Sequence, residues 1–279
     1  MKTLKKSFSL AGSCKSRLPF AKFACGLMLL AVSFCASCAS SKPVEQIVIE
    51  DEERGINMVI IPGESYCIMD TEVTQEIYES VMGNNPSNFK GEKNLPVENV
   101  SWYNAASFCN KLSEQEGLEP VYSFEGETDV EQWRNMVNKW DSFPDEKIKW
   151  NRSANGYRLP TVEEWQYAAR GGQAFKYSGS DDLQEVGWYG SVRDKTHPVA
   201  QKKENGYGLY DMSGNVCEWC WDSNGSSYNC TFGRSYCGGA WSFDSDRCTV
   251  GHKGFCDAGG KFVFLGFRVV RNADYFREE

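Results

Sequence analysis

Residues Cys237 to Arg271 read C-G-G-A-W-S-F-D-S-D-R-C-T-V-G-H-K-G-F-C-D-A-G-G-K-F-V-F-L-G-F-R-V-V-R. The two ends of this stretch read as structure. Gly238-Gly239 allows a close backbone approach, and Leu265 to Val270 reads as a short buried strand that closes the domain. The middle does not. From Ser242 to Phe264 there is neither a period of 3.6 nor a period of 2, and Phe, Asp, Arg, His, Lys, Cys and Gly follow one another without the order of a core. An irregular segment held between ordered ends is where a rigid scaffold carries binding or catalytic groups. The rest of the chain reads as the support for it.

That support is ample. The chain has 279 residues, of which 41% are hydrophobic and 14% aromatic, enough for a sizeable core and against intrinsic disorder. With 30 Lys+Arg against 38 Asp+Glu the net charge is −8, and there is no basic stripe with interleaved aromatics. No field attracts a phosphate backbone, so nucleic acid is excluded as a partner class.

The first forty residues differ in composition from the remainder. Lys2, Lys5, Lys6, Lys15, Arg17 and Lys22 precede a short apolar run from Phe23 to Phe34, and Cys35-Ala36-Ser37-Cys38 follows. This is the pattern of an export signal, and the run is too short to span a bilayer comfortably. The small residues before Cys38 resemble a relaxed, spirochaete-like bacterial lipoprotein cleavage box. The expected division is a lipoprotein signal over 1–37, lipid on Cys38, a polar tether over 38–54, and one domain over 55–274 with its binding segment at 238–271. Ordinary signal cleavage is the alternative, because Cys35 stands where leucine is usual. Removal of the signal leaves eight cysteines beyond Cys38, and export permits disulfides that spacing cannot assign. Cys217-x-x-Cys220 with Cys230 and Cys237 invites a zinc reading, but the later spacings match no regular finger.

Within the domain, Met58 to Gly63 predicts a strand entering a Pro-Gly turn. Thr74 is placed to cap a helix over 75–82, and Ser101 one that starts at Trp102, with Ala105, Ala106, Cys109 and Leu112 on one face and Gly117 at its end. Residues 119–150 read as an excursion that covers the core. Thr161 and Glu164 form a capping box at the head of a helix stopped by Gly171-Gly172. Asn205 to Trp219 is glycine-punctuated and aromatic, which predicts tight turns and short strands, without the geometry of a phosphate loop.

Taken together these pieces resemble the formylglycine-generating-enzyme, or sulfatase-modifying factor, family. The resemblance is carried by Met58 to Gly63, Glu72-Val73-Thr74, Pro96-Val97 with Val100-Ser101-Trp102, Tyr157 to Thr161 with Glu164-Trp165, Asn205 to Leu209, Gly214-Asn215-Val216 with Glu218-Trp219, Gly238-Gly239, and Gly266-Phe267-Arg268. It implies an α+β domain of the C-type lectin fold with little regular structure for its size. Fold alone does not imply catalysis. The active enzymes of this family oxidise a sulfatase cysteine to formylglycine, with copper held by two cysteines five positions apart just after the Gly-Gly. Thiolates suit that role because soft sulfur selects Cu(I). On this chain the second position is Cys248 and the first is Phe243, so one ligand is missing.

The Gly238 to Trp241 start and the Leu265 to Val270 end resemble more closely the variable proteins of diversity-generating retroelements, in particular the treponemal variable lipoproteins, which display a hypervariable C-terminal surface on this fold. That resemblance makes Cys248-Thr249-Val250 a fixed triplet and Ser242, Phe243, Asp244, Asp246, Arg247, Thr249, His252, Lys253, Gly254, Phe255 and Cys256 the diversified ligand-binding positions. Phe243 and Phe255 would serve as apolar anchors, Arg247, Lys253, Asp244 and Asp246 as orienting charges, and Trp241, Cys248 and Val250 as support. Asn215 and Glu218 are candidate calcium ligands by the same family resemblance; hydrogen bonds that hold a turn are the other reading. The sequence therefore predicts a non-catalytic lipoprotein that presents a protein- or glycan-binding face outside the cell, without a required cofactor. The alternative is a copper-dependent oxidase of sulfatase cysteines built on Cys248.

Overall fold

The computed structural model describes residues 2–9, 44–129, 132–133, 147–190, 195–223 and 233–273. Cys38 and residues 10–37 of the expected signal lie outside the described residues, as do Cys230 and much of the excursion, whereas residues 2–9 of that signal form a strand.

Strands β1 (Lys2–Ser9), β2 (Val44–Asp51), β3 (Ile56–Ile60) and β4 (Tyr66–Met69) run antiparallel in sequence order. The last described strand, β11 (Val270–Asn272), completes this five-stranded sheet by pairing Ile68 with Val270. The ordered sheet thus includes residues 44–51, which the sequence assigned to the tether. Their polar composition hides a strand: Ile49 is buried on the core side, and Val48 pairs with Val59 across to β3.

Helix α1 (Gln75–Met82) starts at Thr74, whose hydroxyl accepts from the Ile77 amide, and stops at Gly83 in the left-handed region. Helix α2 (Trp102–Gln115) starts at Ser101 in a capping box closed by Asn104. Its buried face, from Trp102 to Leu112, is packed with aromatic neighbours; Tyr78 stacks on Phe108 with centroids 5.6 Å apart. Helix α3 (Val162–Arg170) opens with the expected Thr161/Glu164 box and ends at Gly171, φ 58°. A short turn of helix, α4, spans Leu183–Val186. The described part of the excursion forms the two-stranded ribbon of β5 (Tyr122–Phe124) and β6 (Ile148–Trp150), and Tyr122, Phe124, Trp133 and Ile148 are buried beneath it.

The second large sheet has the order β10 (Leu265–Gly266), β7 (Cys217–Ser223), β8 (Gly233–Cys237), β9 (Lys253–Asp257), with β10 parallel to β7 and the rest antiparallel. The expected closing strand over 265–270 is therefore two strands in two sheets. Between them Phe267, Arg268 and Val269 cross over, fully buried, and that crossing joins the sheets. The fold is α+β with a low share of regular structure, and no described helix is long and apolar enough to cross a membrane.

Candidate functional site

The segment from Gly238 to Asp257 is built on a buried polar frame. Glu218 of β7 is fully buried; its Oε2 accepts from Arg268 Nε at 2.6 Å and from Trp165 Nε1 of α3 at 2.7 Å, and its Oε1 accepts from Arg268 Nη2 at 2.8 Å. Arg268 spends its other donors on the carbonyls of Met69, Asp70 and Tyr210. Beside this pair Glu72, also fully buried, accepts from the Asn215 side chain at 2.7 Å and from the Val216 amide at 3.0 Å. Asn215 in turn accepts from the His197 amide at 3.0 Å, and its φ of 59° is the left-handed turn that a short amide side chain tolerates. Its carbonyl then receives the Trp241 amide at 2.8 Å, while the Gly214 amide donates to Gly238. The buried charges thus fix where the C-terminal segment begins.

From there Gly238 and Gly239 take φ values of 93° and 73° and lay the chain back on itself. A Cβ on Gly239 would meet the Arg247 carbonyl oxygen at 2.5 Å and Cys248 Sγ at 2.6 Å, so only glycine lets the two arms touch. A single 3-10 turn, Ser245–Cys248, follows, capped by Asp244, whose carboxylate accepts from the Arg247 amide at 3.3 Å. Neighbouring elements pin the segment from outside: the Gly190 amide donates to Phe243, Val250 donates to Lys176, and Gln166 Nε2 donates to Gly251 at 2.9 Å.

The candidate binding residues separate by exposure. Asp244, Asp246, Arg247, Lys253 and Phe255 stand in solvent; Ser242, Thr249, His252, Gly254 and Cys256 are half-buried. Trp241, Cys248 and Val250 lie underneath. Phe243 departs from its expected role as an exposed anchor. It is only 8% accessible, its ring packs on Phe264 at 5.1 Å, and the Arg247 guanidinium covers it at 4.0 Å. The exposed aromatics of the region are Phe255 at 43% and Phe262 at 37%. The middle of the segment is also more regular than its sequence, since Lys253–Asp257 forms the edge strand β9, with residues 253, 255 and 257 exposed and 254 and 256 half-buried. Arg247 and desolvation together hold His252 below the ordinary imidazole pKa, desolvation being the larger cause. Lys176 reaches Asp246 at 3.2 Å, so the acid of the face already has one basic neighbour.

The chemistry available to a metal is limited. Both oxygens of Glu218 are held by Arg268 and Trp165, and the Asn215 oxygen accepts from a backbone amide, so these two residues do not fit the calcium role drawn for them. Cys248 is buried, and desolvation pushes its thiol up to about 12. Phe243, at the position of the other copper cysteine, offers only a ring. Cys217 and Cys220 fall in two different core clusters, as residues three apart on a strand must, and the Cys220 thiol hydrogen-bonds that of Cys237. Cys67, Cys109, Cys217, Cys220, Cys237 and Cys248 are free thiols, and among the described residues no three His, Cys, Asp or Glu side chains are spaced to hold a metal.

Sequence reasoning did not find the buried frame of Glu72, Asn215, Glu218 and Arg268 as a unit, nor Tyr236, whose ring fills the space over Gly254. The only signal for the first was the clustering of acids and glycines over 205–218, which reads equally well as turns.

Comparison with known proteins agrees with this geometry. Residues 44–273 match the family described as Sulfatase-modifying factor enzyme 1-like domain. The chain is 42% identical over 228 residues to Chaperone protein LppX of Paenibacillus barcinonensis, covering 72% of this chain and 78% of that protein. It is 37% identical over 110 residues to the formylglycine-generating enzyme of Streptomyces coelicolor, covering 32% of this chain and 35% of that enzyme. Among solved structures, Treponema denticola variable protein 1 is similar with a TM-score of 0.64 and 34% identity, covering 82% of this chain and 96% of that one. With the order of helices and sheets described above, the chain belongs to the sulfatase-modifying factor enzyme 1-like domain family and carries its C-type lectin fold.

Proposed function

We propose that the protein is a non-catalytic binding lipoprotein, anchored through Cys38 to the cell envelope, whose C-terminal face is diversified and engages an extracellular protein or glycan. The observation that carries this reading is the layering of residues 241–257. Charged and aromatic side chains at 244, 246, 247, 253 and 255 point outward over buried Trp241, Phe243, Cys248 and Val250. A surface of that kind can change its outer residues without disturbing its support, because exposed substitutions move stability little. Similarity to a variable protein and to a protein named as a chaperone supports binding over turnover. A buried Cys248 without a second thiol five positions before it weighs against the copper oxidase.

The test is the sequence of this gene across many isolates. Variation concentrated at codons 244, 246, 247, 253 and 255, with 241, 243, 248 and 250 constant, is the expected result. Uniform codons, or variation that falls equally on the buried positions, would overturn the diversified face and send attention to Cys248, with copper retention and oxidation of a cysteine peptide as the assays.

A further inference from the structure

A cavity of about 560 Å³ opens beside the N-terminus of α3, remote in sequence from the 242–257 face and lined by Tyr66, Trp150, Arg152, Arg158, Glu163 and Tyr167 among others. Its volume lies within the roughly 300–1,000 Å³ of small-ligand sites. Two guanidinium groups approach one indole at its wall: Arg152 lies 4.1 Å and Arg158 4.8 Å from the Trp150 ring centroid. Arg158 is 4% exposed and grips Glu164 with Nη1 and Nη2, both at 2.7 Å. Its Nε is a buried donor with no hydrogen-bond partner. Arg158 therefore brings to the cavity wall a buried charge with one unspent donor. Tyr167, 38% exposed, presents an aromatic surface at the rim. Tyr167 and Glu163 also line a second hollow of about 370 Å³ that continues to Arg170, Asp222 and Lys253, so the two spaces share a wall and lead toward β9.

The lining selects the ligand class. Arg152 and Arg158 stand against Glu64, Glu163 and Glu164. Two positive against three negative charges leave one negative charge in excess, so a phosphate is disfavoured and a polycation gains little from the field. What remains is a mixture of hydrogen-bond donors and acceptors beside aromatic rings. A ligand that matches it has many hydroxyls, each both donor and acceptor, and apolar C–H faces for the rings. We infer that this cavity, built by Trp150, Arg152, Arg158, Glu163 and Tyr167, is a saccharide-binding site separate from the C-terminal face.

The experiment is a glycan array probed with the full-length protein, followed by calorimetric titration of the bound glycan against wild type, Tyr167→Ala, Arg152→Ala, Arg247→Ala and Lys93→Ala. Both Tyr167 and Arg152 are exposed, so these variants are expected to fold, and their melting temperatures check it. The expected result is binding of a neutral glycan that is weakened tenfold or more by Tyr167→Ala and by Arg152→Ala and is indifferent to Lys93→Ala. An array that binds nothing overturns the inference, as does a glycan whose affinity ignores both cavity variants. Loss in Arg247→Ala alone would place the sugar on the C-terminal face, which overturns the cavity while leaving the proposed function intact. Binding that inorganic sulfate competes away would mean an anion site and overturn the saccharide.

Discussion

Arg268 holds both oxygens of Glu218, at 2.6 and 2.8 Å, and neither side chain reaches solvent. Arg268 lies on the crossover between β10 and β11 and Glu218 on β7, so this pair links the two large sheets, and the Trp165 indole ties it to α3. Removing one charge strands the other in the interior, which typically costs about 3–5 kcal/mol. Glu218→Gln is therefore expected to lower the stability read from urea unfolding by that order, with α3 losing amide protection at the same time. A loss below 1 kcal/mol would show that solvent enters and relieves the charge.

Stability should also fall as pH rises through weak acid. Asp211 is 2% exposed; desolvation raises its carboxyl to about 6, and the Ala200 amide at 2.7 Å and Arg268 only partly offset this. Its Oδ1 has no partner. Desolvation likewise raises Glu98 to about 6. Glu72 shifts the same way, first by desolvation and then by repulsion from Asp211 and Glu218. A carboxyl that holds its proton more tightly when folded favours folding fully below its unfolded pKa, near 4, and loses that contribution as pH passes about 6. For Asp211 the difference is on the order of 3 kcal/mol. Urea midpoints are expected to drop from pH 4 to 6.5, and Asp211→Asn, which stays neutral, should flatten part of that slope. A midpoint that climbs over the same window would contradict the assignment.

Where the fold was legible, the signals were local and chemical. Thr74, Ser101 and Thr161 each sit in a cap whose hydrogen bond needs only the residue three positions on, so the three main helices could be placed from sequence. Strand β9 was not legible because its inward positions are Gly254 and Cys256. The ring of Tyr236, from the neighbouring strand, occupies the place a Gly254 side chain would fill, with atoms 2.3–2.6 Å from an ideal Cβ. Hydrophobic alternation is then carried by a partner strand and disappears from the segment itself. Phe243 was misplaced for a related reason: its cover is Arg247, and whether an arginine turns inward over a ring or outward to solvent is decided by the 3-10 turn that Asp244 caps. The family pattern located the face, while the packing of the face depends on contacts that sequence order does not show.

The cysteines should differ in reactivity. Desolvation pushes Cys67 and Cys248 up to about 12 and raises Cys217 and Cys220 as well, and all four are buried; Cys256 on β9 is half-buried. Thiolate population and access together set alkylation rates. Peptide-resolved labelling with iodoacetamide at pH 8 is expected to modify Cys256 well before Cys67, Cys217, Cys220 or Cys248 in the folded protein. Fast labelling of Cys248 would instead reveal an accessible thiolate and revive the oxidase reading.

The hinge of the C-terminal face rests on one missing methyl group. Gly239→Ala places a Cβ 2.5 Å from the Arg247 carbonyl oxygen and 2.6 Å from Cys248 Sγ, at a φ of 73° that an alanine resists. Backbone contacts of that kind cannot be relieved by a rotamer change, so the two arms of the segment must separate. The strained conformation costs about 1–3 kcal/mol and overpacking a similar amount, which gives an expected destabilisation of about 2–6 kcal/mol. Gly251→Ala is the matched control, since nothing lies within 4 Å of its Cβ and its φ is not positive; it should stay within about 0.5 kcal/mol. Hydrogen exchange separates a local effect from a global one. If the arms part, the Arg247 amide, which donates to the Asp244 carboxylate at 3.3 Å and to its carbonyl at 3.1 Å, loses protection in Gly239→Ala while the Ile77 amide at the α1 cap keeps its own. Equal loss at both sites would mean that the Gly-Gly turn supports the whole domain, and the face could then not vary independently of its scaffold.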